Sequence, residues 1–161
     1  MQIRISLPQQ TLELHDASGR LLLRYSVSTA SRGAGERQGS FRTPRGGHIV
    51  RAKIGAGVAE NTVFVRRRPT GELWTPQLAE QFPARDWILT RILWLSGTEP
   101  GRNRLGDVDT MRRYVYLHGS PDTADMGQPG SIGCVRMRNR DIIELFDRIP
   151  VYTPVDIVES E

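Results

Sequence analysis

A chain of 161 residues with one cysteine, three histidines and no apolar run near the ~20 residues of a bilayer span excludes an intrachain disulfide and a spanning helix, and argues against a structural zinc site. Its 16 glycines and 10 prolines, with 38% hydrophobic and 25% charged residues, point to one turn-rich, mainly β domain over residues 1–161. The net charge of +4 is almost all arginine, Lys53 being the one lysine; these arginines are scattered apart from Arg66, Arg67 and Arg68 and lack an interleaved aromatic platform, so a solvated basic surface is expected and nucleic acid is not.

Alternation predicts strands over residues 3–7 and 11–15, broken by Pro8, and a third over 21–30 after the turn at Asp16 to Gly19. The strand-like start has no basic, apolar and cleavage regions of a secretion signal, so a cytoplasmic location is expected, with the periplasm as the alternative if a leader has been removed. Residues 31–47 read as a long glycine-rich loop. Residues 48–54 and 63–66 follow as strands, 67–86 as an irregular, proline-containing excursion, and 87–95 as a strand rich in β-branched and aromatic residues. Another long loop covers 96–113 before alternation returns at 114–118. One helix is predicted late: Ile142, Leu145, Phe146 and Ile149 recur at helical spacing, with Asn139 as the expected cap and Pro150 beyond the end. A strand over 155–158 closes the chain.

The chemistry-bearing residues cluster late. Alternation from Tyr114 to His118 puts His118 on the face of the two tyrosines, at a strand end, followed by Gly119 and a polar loop. Then come Ser131, Ile132, Gly133, Cys134, Val135, Arg136 and Met137. A lone cysteine is more often buried and inert, and a lone histidine more often structural. A nucleophilic thiol needs a base or cation beside it, backbone donors for an oxyanion, and access. Gly133, the neighbouring Arg136 and a strand-terminal histidine are compatible with those needs.

His118-Gly119, the segment Ser131 to Met137, and Asp141 together resemble the YkuD, or L,D-transpeptidase, catalytic domain signature: HG, a loop, then [S/T]-x-G-C-x-R before a helix. Gly39 to Gly46, with Thr43-Pro44, is similar to the family's G-x-x-x-T-P-x-G element, and Thr153 to Ile157 resembles its closing strand. Two positions depart from the pattern: Ile132 stands where many members have histidine, and Tyr152 where glycine usually precedes Thr-Pro-Val. The resemblance implies a YkuD-like β-sandwich or barrel with one late helix and long loops around a cysteine site. It implies Cys134 as nucleophile and His118 as its base. Gly119 would orient the imidazole through its carbonyl, and the Gly133 and Cys134 N–H groups would form an oxyanion hole. Ser131 would anchor the loop, and Arg136 would hold the site or a substrate carboxylate. No metal or organic cofactor is implied.

Family substrates are peptidoglycan stem peptides, so the expected partners are such peptides or muropeptides, with no nucleic acid and no membrane. The expected reaction is L,D-carboxypeptidase release of terminal D-alanine from tetrapeptide in murein recycling. The alternatives are L,D-transpeptidase cross-linking and a non-catalytic peptidoglycan-binding module. Arginines in the cleft loops (Arg45, Arg102, Arg104, Arg112, Arg113) are candidates to read the donor's terminal carboxylate. Histidine and arginine neighbours predict a Cys134 pKa below the ~8.5 of a free thiol.

Overall fold

A computed structural model of the protein describes residues 1–160. Strands β1 (Gln2–Ser6), β2 (Thr11–His15) and β3 (Leu21–Ser26) form an antiparallel meander in which Ile5 faces Leu12 and Leu14 faces Leu23. The apolar members of each alternation (Ile3, Ile5, Leu12, Leu14) are fully buried, which fixes the register, since a slip of one residue would turn them to solvent. The later strands are β4 (Gly46–Ile54), β5 (Thr62–Val65), β6 (Arg68–Leu73), β7 (Ile88–Gly97), β8 (Tyr116–Ser120), β9 (Val135–Arg138) and β10 (Pro154–Val158). One sheet runs β3-β2-β1-β10-β4-β7 and continues from β7 to β8 and β9, with the β5–β6 hairpin attached to the start of β7. Past β3, Ser28 exchanges backbone hydrogen bonds with Arg136 of β9, so the sheet curls round to meet its own first edge.

The main core lies on one side of this curl, where Leu93, Leu95, Leu117, Val135 and Met137 meet Ile3, Leu12, Val50 and Val155. Helix α2 (Asn139–Arg148) covers it with Ile142, Leu145 and Phe146, the predicted apolar stripe, and Ile149 follows just past the helix. Its C-terminal end is held by Lys53, whose Nζ donates to the carbonyls of Phe146 and Ile149 at 2.6 and 2.7 Å.

Several local expectations are revised. The cap of α2 is Arg138, with no side-chain cap bond; Asn139 is the first helical residue, and its buried side chain turns to Thr90 and Asn61. The segment expected to be irregular at 67–86 contains β6 and a short helix α1 (Pro76–Gln81), capped by Thr75 Oγ1 accepting from Leu78 N, with Pro76 in its first turn. Arg66 and Arg67 form the two-residue turn of the β5–β6 hairpin, both at positive φ (50° and 65°). Arg67 is no solvated surface charge: it lies 4.7 Å from both the Trp94 and Tyr114 ring centroids and donates to the Tyr116 hydroxyl. The loop after β7 is ordered by polar bonds, with fully buried Asn103 donating to the Arg45 and Gly47 carbonyls.

Candidate active site

The parallel pair β8–β9 places the two reactive side chains. Its register sets Leu117 against Val135 and His118 against Arg136. Leu117 and Val135 point into the main core, so His118 and Arg136 turn to the opposite side of the sheet. Cys134 precedes β9, and its Sγ accepts the backbone N–H of Tyr116 at 3.3 Å, which fixes it two residues further up the same seam. There Cys134 packs against a second apolar cluster of Phe64, Ile92 and Tyr116.

His118 is buried, and its Nδ1 lies 2.6 Å from the Gly119 carbonyl oxygen. A carbonyl only accepts, so Nδ1 carries the proton and Nε2 presents its lone pair. Burial pushes the His118 pKa down; Asp86 and the Gly119 carbonyl oppose this and Arg136 adds to it. The imidazole is therefore neutral and basic at Nε2 near neutral pH. Gly119 has no room for a side chain: a Cβ would sit 2.3 Å from Asn139 Oδ1 and 2.6 Å from the Leu89 carbonyl.

The thiol is also neutral at rest, which corrects the expectation of a depressed pKa. Burial pushes Cys134 up to about 12; the Tyr116 N–H, Arg136 and Arg113 favour the thiolate and Asp86 disfavours it, and burial dominates. The S–H donates to the Tyr114 carbonyl at 3.4 Å, and Tyr114 turns that carbonyl inward from a left-handed backbone at φ 56°. Tyr114 thus lies outside the strand predicted to contain it.

The loop around Cys134 is tied down at every other residue. Ser131 Oγ donates to the Cys134 carbonyl at 2.5 Å and accepts the Gly133 N–H at 3.2 Å. Gly133 sits at φ 136°, a conformation that favours glycine, and its carbonyl accepts from Thr43 Oγ1 at 2.9 Å. Of the two backbone donors expected for an oxyanion, Gly133 N–H is thus engaged by Ser131, and the Cys134 N–H is the one without a partner among the described residues. Arg136 donates to Asp86 Oδ1 at 3.0 Å, so its charge is paired within the protein.

Sequence reasoning missed Asp86 and the role of Thr43, and it named Arg113 only as one of five cleft arginines. Asp86 and Arg113 line a cavity of about 190 Å³ with Cys134, Gly133, Tyr114, Phe41 and Ile132. Thr43 was visible only as part of a motif; fully buried, it joins the 31–47 loop to the cysteine loop. Among the described residues no three potential metal ligands cluster, and no helix is long and apolar enough to cross a membrane.

Known proteins resemble the chain in sequence and in fold. The chain is 30% identical over 102 residues to the probable L,D-transpeptidase YbiS of Escherichia coli K12, covering 62% of this chain and 32% of that protein. It is 39% identical over 46 residues to the putative L,D-transpeptidase YkuD of Bacillus subtilis, covering 29% of this chain and 28% of that protein. Among solved structures, an L,D-transpeptidase from Mycobacterium smegmatis superposes with a TM-score of 0.56 at 17% identity, over 98% of this chain and 58% of that one. L,D-transpeptidase 3 from Mycobacterium tuberculosis with a faropenem-derived adduct gives 0.58 at 14%, over 98% and 59%. These structures share the fold; the aligned stretches span a third or less of the two curated relatives. Residues 1–157 match the L,D-transpeptidase catalytic domain, and the chain belongs to that family.

Proposed function

We propose that this domain is a cysteine acyl-transfer enzyme acting on peptidoglycan stem peptides, and that it works as an L,D-carboxypeptidase on soluble muropeptides of the cytoplasm in murein recycling. The observation that carries the acyl-transfer reading is the placement of a thiol, and of an imidazole whose Nδ1 is committed to a carbonyl, on one side of the β8–β9 pair.

In this reading the thiol proton is redirected from the Tyr114 carbonyl to His118 Nε2 as Sγ bonds to the peptide carbonyl carbon. The Cys134 N–H stabilises the oxyanion. The C–N bond breaks, His118 returns the proton to the departing amine, and D-alanine leaves a thioester. Water then gives a proton to His118 and attacks; the C–S bond breaks, and the proton returns to sulfur. The small cavity beside Cys134 favours water over a second peptide as acceptor. Cross-linking is the second reading, favoured by the relatives being named as L,D-transpeptidases. A purely binding module would need neither His118 nor Cys134.

Mass spectrometry of products from tetrapeptide, alone and with an amine acceptor, tests the proposal. Tripeptide and D-alanine should dominate in both, and Cys134→Ala should lower turnover at least about a thousandfold. Cross-linked dimer as the main product would reassign the enzyme as a transpeptidase. Turnover surviving in the alanine variant would end the cysteine mechanism.

A further inference from the structure

Five arginines stand in loops near the cleft, and the structure separates them. Arg45 is bound by Glu36 and Glu159, and Arg102 by Glu99. Arg104 and Arg112 are exposed and do not line the cavity of Cys134. Arg113 does line it, is half-buried, and has no carboxylate within ion-pair distance among the described residues. Its charge and the Cys134 thiol act on each other, and the one carboxylate that acts on it, Glu36, is itself bound to Arg45. Neutral acceptors hold the guanidinium in place: Nη1 donates to the Gly35 carbonyl, and Nη2 to Ser40 Oγ and the Arg42 carbonyl. Nε–H and a second Nη1–H remain without partners among the described residues.

A half-buried guanidinium, fixed by neutral groups and lining the same cavity as a nucleophile, is a charge left for a ligand to neutralise. Arg136, the other cation of this cavity's surroundings, is already paired with Asp86. We propose that Arg113 is the specificity residue of the site, pairing with the free carboxylate of the leaving amino acid while Cys134 attacks the carbonyl before it. This assignment rests on the acyl-transfer reading above and names what the donor must carry.

The test uses alkylation, which needs no turnover. N-iodoacetyl-D-alanine and its C-terminal amide differ only in whether the terminal carboxylate is free, and in both the carbon that the thiol attacks adjoins the carbonyl that acylates the D-alanine nitrogen. With glutathione as the reference thiol, the folded protein should react preferentially with the acid. Arg113→Gln should lower the acid-to-amide rate ratio by roughly fivefold or more, and Arg112→Gln, next to it in the chain and exposed, should leave the ratio unchanged. If Arg113→Gln slows both reagents equally, Arg113 acts on the thiol or only fastens the 35–42 loop, and the proposal is overturned. An equal fall in Arg112→Gln would also overturn it, because the preference would then be a property of the general positive field. Alkylation of Cys134 without D-alanine release from tetrapeptide would count against the enzymatic reading and leave the carboxylate contact standing.

Discussion

Around Cys134 the decisive balance is between burial and three charges, two positive and one negative. Arg136 and Arg113 favour the thiolate, yet Asp86 cancels part of that field and burial outweighs the remainder. The pH profile of alkylation should therefore have its midpoint well above the ~8.5 of a free thiol. Asp86→Asn should move that midpoint downward by about one pH unit, because an anion that disfavours the thiolate is removed and Arg136 loses its partner. An unmoved or raised midpoint would show that Asp86 does not act on the thiol. The sequence made Cys134 and His118 legible because they sit in short motifs, although His118 lies in the middle of β8 and not at the strand end expected, with Cys134 just before β9. Their charge environment was not legible: Asp86 reaches Arg136 across 50 residues of chain, from a proline-containing stretch with no periodicity.

Between elements, the junction of β7, β8 and α2 shows how the imidazole is held. Thr90 lies in the irregular part of β7 at φ 77°, an uncommon conformation for a β-branched residue, and donates through Oγ1 to Asn139 Oδ1 at 2.7 Å. Asn139 Nδ2 donates to Asn61 Oδ1, and Asn139 Oδ1 lies against Gly119, whose carbonyl orients His118. Asn139→Ala would leave the Thr90 hydroxyl and the Asn61 amide without this partner, costing about 2 kcal/mol. Thermal unfolding should show a Tm lower by about 6 °C, and no change would mean that the network contributes little. At this scale the sequence was partly legible. The periods of 2 and 3.6 located the main strands and α2, whereas β9 is four residues long and follows a glycine and cysteine that mask its alternation. The Thr75-Pro76 pair did carry a helix-start signal, but α1 is only six residues long and too short to show a stripe. Asn139 looked like a cap because its side chain suits one; tertiary contacts claimed it instead.

Across the whole molecule, two buried imidazoles link stability to pH. His48 is nearly inaccessible, with Nδ1 against the Gly46 carbonyl and Nε2 against Thr110 Oγ1, and burial pushes its pKa down as it does that of His118. Both stay neutral when folded and accept a proton once unfolded below their ordinary value of 6.5. The unfolded chain then binds more protons, so the stability present above pH 6.5 is lost as pH falls below it, by at most about 1.4 kcal/mol per pH unit for each histidine. Chemical denaturation should show stability falling as pH drops from 7 to 5, with a slope that steepens towards a ceiling of about 2.7 kcal/mol per pH unit for the two together. His48→Gln should halve that slope, and a flat profile would show that neither group is held neutral. The β class was legible from glycine, proline and alternation; the strand order was not, because pairings such as β1 with β10 join opposite ends of the chain. That pairing has a kinetic side. Strand β10 lies between β1 and β4, so until residues 154–158 are available the β1–β3 meander and the rest of the sheet have no strand to join them there. During synthesis two strand edges of this domain therefore stay open until β10 is made, and closing the full sheet waits for that strand.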